Sequence, residues 1–219
     1  MPCWPDVSGA SPCPRSWARG CSGAAPSASR ATRSTPGPET ETLVACALEE
    51  PFARLLDLGT GTGCLLVTLL AECPEATGIG IDLSPAALAV AGQNAARHGV
   101  AERADLLLSD WYEAVSGEFD LILSNPPYIP AAELDRLEPE VRDWEPHLAL
   151  TDGGDGLAAY RAVLGGARPH LRSGGRVAVE VGAGQAPAVL AIGQAAGLTP
   201  LGTRPDLHGR ARVCVFRAA

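Results

Sequence analysis

Five short apolar runs, at residues 54–58, 77–82, 104–109, 119–124 and 176–181, alternate with stretches of helical periodicity, and this alternation narrows the fold more than any other feature. Runs of that length bounded by turn formers suit strands. Their continuity predicts strands covered on both faces, and strand–helix alternation implies a mostly parallel sheet with helices on either side.

The helices between the runs carry end signals. Residues 40–49 read as a helix closed by Pro51. Ser84-Pro85 supplies an N-cap followed by Pro at the first helical position, and that helix runs through Ala-rich sequence to Gly99. Leu157, Tyr160, Leu164, Ala167 and Leu171 mark one face of a helix after the turn Gly153-Gly-Asp-Gly156. Residues 185–196 form a last helix, stopped by Gly197. Two more apolar runs, at 198–203 and 211–217, bring the strands to seven. The segment between them, 204–210, is too short for a helical crossover, so the last strand is expected to be antiparallel.

The first 38 residues differ from the rest. They hold seven Pro, three Cys and two Trp with no periodic apolar pattern, and have little with which to build a core. The expected organisation is a disordered or non-native tail over 1–38 and one α/β domain over 39–219. Of seventeen basic residues, all Arg, four lie in that tail with one of the twenty-five acids, so the domain stands at 13 − 24 = −11. The whole-chain charge of −8 counts against a bare nucleic-acid binder. The seven Cys include no Cys-x-x-Cys pair, which points to free thiols rather than a zinc site or disulfide framework. No stretch has the length of a membrane span and the start lacks a secretory pattern, so the expected location is the cytoplasm.

The first strand runs into Leu55-Leu-Asp57-Leu-Gly59-Thr60-Gly61-Thr62-Gly63. Glycines there allow a tight turn and a close backbone approach to a ligand at the next helix's N-terminus. The spacing departs from the dinucleotide pattern Gly-x-Gly-x-x-Gly because position 64 is Cys. Asp57 suits an ammonium group and would repel a pyrophosphate. Asp82, ending the second strand, can accept both hydroxyls of a ribose. Together these describe a nucleoside carrying an amino acid, and S-adenosylmethionine is such a molecule.

After the fourth run comes Asn125-Pro126-Pro127-Tyr128. It sets a primary amide, a bare carbonyl and an aromatic ring at a strand's carboxyl end, where open α/β sheets bind ligands. This is equipment for gripping a flat NH2 group. His98, His147, His170 and His208 form no site pattern and are expected to be surface or structural residues. Glu180 and Gln185 read as strand-end and helix-start polar residues, outside the site.

In this order the motifs resemble the release-factor glutamine N5-methyltransferases. The resemblance continues through Ser109-Asp110-Trp111, Pro139-Glu-Val-Arg142, Glu145-Pro146, Ala149-Leu150, Gly153-Gly-Asp-Gly-Leu157, Glu180-Val-Gly182, Gly184-Gln185 and Gly209-Arg210, covering residues 38–219 almost without a break. It implies a Rossmann-like class I methyltransferase with a seven-stranded, mostly parallel sheet. It further implies methyl transfer from S-adenosylmethionine, leaving S-adenosylhomocysteine, to the glutamine of a Gly-Gly-Gln loop on a peptide-chain release factor. Asp110 and Trp111 would then meet the adenine, and Asn125, Pro126, Pro127 and Tyr128 would hold the glutamine amide, with Asn125 also contacting the cofactor.

Two alternatives use the same residues: methylation of a nucleic-acid amino group, and a fragment that binds cofactor without turnover. Family members carry an N-terminal helical domain joined by a hairpin, a pattern not read upstream of residue 39. Weak docking of the protein substrate is the expectation that follows.

Overall fold

The computed structural model describes residues 38–136, 150, 151 and 153–218. The tail expected over 1–38 lies outside the described residues except for Pro38, and so does the matched stretch from Pro139 to Ala149.

Seven strands, β1 (Arg54–Leu58), β2 (Thr77–Asp82), β3 (Ala104–Leu108), β4 (Phe119–Ser124), β5 (Leu171–Glu180), β6 (Leu198–Pro205) and β7 (Ala211–Ala218), form one sheet in the order β3-β2-β1-β4-β5-β7-β6. The first five pair in parallel; β7 is antiparallel to both β5 and β6. Each of the seven predicted runs is a strand, and the antiparallel last strand is where the short 204–210 connection requires it.

The α-helices among the described residues are α1 (Pro38–Ala47), α2 (Cys64–Glu72), α3 (Pro85–Arg97), α4 (Ala158–Ala167) and α5 (Ala186–Ala195). Ser84 caps α3 as expected: its Oγ accepts from the Ala87 amide at 3.2 Å, and Pro85 occupies the first turn, where a missing N–H costs nothing. One element differs from the periodicity. The face predicted to reach Leu171 stops with α4 at Ala167, because Arg168–His170 tighten into a single 3-10 turn and Leu171 already pairs with Phe119 in the sheet. Leu171 kept the helical spacing because it points into the same core as Tyr160, Val163, Leu164 and Ala167. β5 therefore starts at Leu171 and not at 176, its first half hidden by Arg172, Ser173, Gly174 and Gly175.

Alternate strand residues face two cores. Leu56, Leu58, Ile122, Val177, Val179, Cys214 and Phe216 pack with α4 and α5, while Leu55, Leu121, Leu123, Ala178, Val213 and Val215 pack with α1, α2 and Ala95 of α3. That period of two places helices on both faces. Arg176 ties α1 down: its buried guanidinium donates to the carbonyls of Cys46 at 3.0 Å, Ala47 at 2.6 Å and Glu50, near the helix's C-terminus where free carbonyls gather.

From β1 the chain builds outward through β2 to β3, then returns to place β4 on the other side of β1. The sheet's direction of winding reverses between β1 and β4, and the crevice at their carboxyl ends is where such folds bind ligands.

Candidate active site

Four predicted segments line one edge of the sheet in spatial order: Asp110 and Trp111 after β3, Asp82 at the end of β2, the glycine loop after β1, and Asn125 to Tyr128 after β4. The ends interlock. Ser109 donates its amide to the Asp82 carbonyl at 3.2 Å, and Thr60 donates its amide to the Ile81 carbonyl at 2.7 Å. Leu58 is the register partner of Ser124, whose hydroxyl donates to the Leu58 carbonyl at 2.8 Å. Gly59 and Asn125 thus leave neighbouring strand ends.

In the glycine loop Gly59, Gly61 and Gly63 all hold positive φ, at 72°, 55° and 78°. A Cβ at Gly59 or Gly61 would meet nothing within 4 Å, so their backbone borders open space and the need for glycine is conformational. Gly63 differs, because a Cβ there would lie 3.0 Å from that of Ala91 on α3. Asp82 organises the loop's outer side. Its Oδ2 accepts from the Gly61 amide at 2.9 Å and its Oδ1 from the Ser84 amide at 2.8 Å.

Asp57 shares the sheet face of Leu55, toward α2, and is fully buried. Its Oδ2 accepts from the Thr60 hydroxyl at 2.6 Å and the Leu66 amide at 3.3 Å, while Oδ1 has no donor among the described residues. Burial pushes the carboxyl up to about 6, opposed by the Thr60 and Leu66 hydrogen bonds and reinforced by the negative charge of Asp82. Thr60 therefore turns inward as the partner of Asp57. Thr62 holds α3 through its carbonyl, which accepts from Asn94 Nδ2 at 2.9 Å.

Asp110 is exposed and Trp111 half-buried against the α4–α5 core. Trp111 has φ 43°, the one positive value outside glycine among the described residues. The Ser109 hydroxyl holds this turn, donating to the Trp111 carbonyl at 3.1 Å and accepting from the Ala114 amide at 3.0 Å. No helix begins there, so Asp110 caps nothing. Leu83 and Leu108, 58% and 55% exposed, add apolar surface beside Asp82, with Leu108 its register partner on β3.

Asn125, Pro127 and Tyr128 are half-buried and Pro126 is buried. Beyond them the chain is laced to the 150–157 stretch: Ile129 donates to the Leu150 carbonyl at 2.9 Å and Ala131 to the Gly154 carbonyl at 3.0 Å. Gln185, set aside on sequence grounds, reaches this segment and donates from Nε2 to the Tyr128 carbonyl at 2.8 Å. A signal existed, since Gln is not a favoured N-cap and its place at a helix start calls for another partner.

The remaining candidates lie elsewhere. His170 stacks on Tyr112 with ring centroids 4.8 Å apart, His98 closes α3, His208 sits in the β6–β7 turn, and His147 is outside the described residues. Cys46, Cys64, Cys73 and Cys214 take part in no disulfide, and burial pushes Cys46 to about 11 and Cys214 to about 12. Among the described residues no group of three or more His, Cys, Asp and Glu is placed to hold a metal ion.

Most of the chain is similar to known proteins. Residues 36–137 match the "Methyltransferase small domain" family. A release factor glutamine methyltransferase of Cereibacter sphaeroides is 62% identical over 190 residues, which cover 86% of this chain and 68% of that protein. One of Rhodospirillum rubrum is 46% identical over 83% of this chain and 57% of its own length. Among solved structures, a methyltransferase from Pyrococcus furiosus superposes with TM-score 0.64 at 16% identity, covering 83% of each chain. TrmN from Thermus thermophilus does so with TM-score 0.60 at 23% identity, covering 83% of this chain and 49% of that one. Such distant likeness establishes the fold, that of the class I methyltransferases. An identity of 62% over more than two thirds of a relative's length is a closer relationship: the chain belongs to the release factor glutamine methyltransferase family.

Proposed function

We propose that this chain transfers a methyl group from S-adenosylmethionine to the side-chain amide nitrogen of the glutamine in a Gly-Gly-Gln loop of peptide-chain release factors, with residues 39–219 as the catalytic domain. The observation that carries the reading is the Leu58–Ser124 pairing, which sets the glycine loop and the Asn125 segment side by side at the winding switch.

The residues on the β1–β2 side fit a nucleoside-linked amino acid. Asp57 Oδ1 is a buried acceptor with no donor among the described residues, suited to an ammonium group; Gly59 and Gly61 border open space; and the Asp82 oxygens keep lone pairs for ribose hydroxyls. Gly63 and Thr62 lock the loop to α3, while Leu83, Leu108 and Trp111 offer apolar surface to a purine, with Asp110 beside them to accept from its amino group. When bound, S-adenosylmethionine supplies an electrophilic methyl on a sulfonium.

On the β4 side the chain's task is to make a poor nucleophile usable. An amide nitrogen's lone pair is delocalised into its carbonyl. The Asn125 side-chain oxygen and the Pro126 carbonyl each accept one N–H of the substrate amide, turning that lone pair toward the methyl and supporting the positive charge that develops. Pro126 and Pro127 restrict the loop through their fixed φ, and the Tyr128 ring offers its face to the cationic methyl. The amide nitrogen gains a methyl group in place of one hydrogen, and that proton leaves to water.

A substrate belonging to the translation machinery locates the activity in the cytoplasm. Among the described residues no helix is long and apolar enough to cross a membrane. Mass spectrometry of a release factor after incubation with enzyme and S-adenosylmethionine tests the reading. One added methyl on the Gly-Gly-Gln glutamine is expected; an unmodified factor beside folded, donor-bound enzyme defeats it.

A further inference from the structure

Gln185 stands at the start of α5, yet its side chain makes no capping hydrogen bond to that helix. Its amide faces the other way. Oε1 accepts from the Gly182 amide at 3.0 Å and from the Tyr160 hydroxyl at 3.2 Å, and Nε2 donates to the Tyr128 carbonyl at 2.8 Å, with the Gly156 carbonyl further off at 3.4 Å. One side chain thereby joins the end of β5, the start of α4, the turn at 153–156 and the segment after β4.

The surroundings are built tightly around that junction. A Cβ on Gly156 would lie 2.5 Å from the Tyr128 carbonyl oxygen, and one on Gly182 would lie 2.7 Å from Gln185 Oε1 and 3.0 Å from Tyr128 Cδ2. The 2.5 and 2.7 Å distances are below what a Cβ tolerates without something shifting, so glycine at 156 and 182 leaves room for Gln185 to reach Tyr128. Gly156 also has φ 73°, which other residues adopt at a cost. Tyr160, fully buried, anchors the far side, its hydroxyl also 3.1 Å from the Glu180 carbonyl.

The segment from Asn125 to Tyr128 has two ends. The first is fixed by β4 and by the Ser124–Leu58 hydrogen bond. Two prolines between them leave few soft dihedrals. The direction of the Pro126 carbonyl and the Tyr128 ring therefore depends on where the second end is held, and Gln185 Nε2 holds it by the Tyr128 carbonyl.

We infer that Gln185 is a positioning residue for methyl transfer: it clamps the Tyr128 carbonyl so that the segment presents its acceptors to the substrate amide. This rests on the methyltransferase reading above. Gln185→Leu removes both arms of the clamp. Gln185→Glu keeps the acceptor for the Gly182 amide and turns the donor to Tyr128 into a carboxylate oxygen that repels its carbonyl, so it serves if the leucine variant fails to fold.

The test has two readouts, taken on both variants and the unaltered chain. The first is hydrogen exchange in a peptide covering residues 124–133. About tenfold faster exchange is expected there, with peptides of β1 and β2 unchanged. The second is turnover on a release factor beside calorimetry with S-adenosylmethionine. A hundredfold fall in kcat, roughly what a displacement of 1 Å costs, is expected with donor affinity within about twofold. Unchanged exchange, unchanged kcat, or a donor affinity that falls in step with kcat each overturns the inference. If the unaltered chain leaves the release factor unmodified, the proposed function falls, and the exchange readout still decides whether Gln185 holds the segment.

Discussion

Ser124 donates its hydroxyl to the carbonyl of Leu58 at 2.8 Å, across the two strand ends from which the glycine loop and the Asn125 segment depart. The bond is fully buried and joins residues 66 apart, so it fixes the separation of the two halves of the site. Ser124→Ala should lower stability by about 1 kcal/mol, the net worth of one such bond. It should lower kcat more than a loss of that size explains. Urea unfolding and turnover on the same preparation check both; an unaltered kcat would separate this bond from the site.

Asn125→Ala removes one acceptor proposed for the substrate amide while leaving β4 intact. By analogy with single donors aimed at developing charge, kcat should fall on the order of a hundredfold or more. The affinity for S-adenosylmethionine and the urea midpoint should stay near those of the unaltered chain. A loss confined to donor binding would reassign Asn125 to the other half of the site.

Asp82→Ala leaves the Gly61 and Ser84 amides without their carboxylate and takes away the acceptor proposed for the ribose. Donor affinity should fall at least tenfold, about 1.4 kcal/mol. Calorimetry measures it directly, and equal affinity in the two proteins would remove Asp82 from the site.

Asp57 gives a pH dependence whose sign can be worked out. Its carboxyl titrates at about 6 when folded against an ordinary value of 3.8, with burial as the largest cause. Between those values the folded state binds the extra proton, so this group's contribution to stability falls as pH rises from about 4 to about 6 and is level above. The rise corresponds to about 3 kcal/mol. Asp57→Asn lacks it, and its stability relative to the unaltered chain should grow across that window; measuring both proteins cancels the slopes of other carboxyls. A relative stability that shrinks instead would show the carboxylate to be favoured by the fold.

The same group should govern donor binding. If the ionised form is the one that meets the ammonium, the Kd for S-adenosylmethionine should be about tenfold weaker at pH 5 than at pH 7.5. A flat profile would remove Asp57 from direct recognition.

Much of this was legible along the chain because it is decided locally. Ser84 and Pro85 start α3 through a cap that needs only three neighbouring residues, and the strand ends carrying Asp82 and Asn125 follow from short apolar runs. The glycines at 59, 61 and 63 announced a loop only they can form, since all three hold positive φ. Local signals misled where two elements share one core: Leu171 kept the spacing of α4 while belonging to β5. What tertiary structure alone decided are contacts between residues far apart in the chain. The side-by-side departure of Gly59 and Asn125 needed the strand order, the buried state of Asp57 needed α2 laid over β1, and Gln185 met Tyr128 across 57 residues. Motif order could propose the parts of a methyl-transfer site; only packing could set the distance between them, because distance comes from how side chains fill the sheet's two cores.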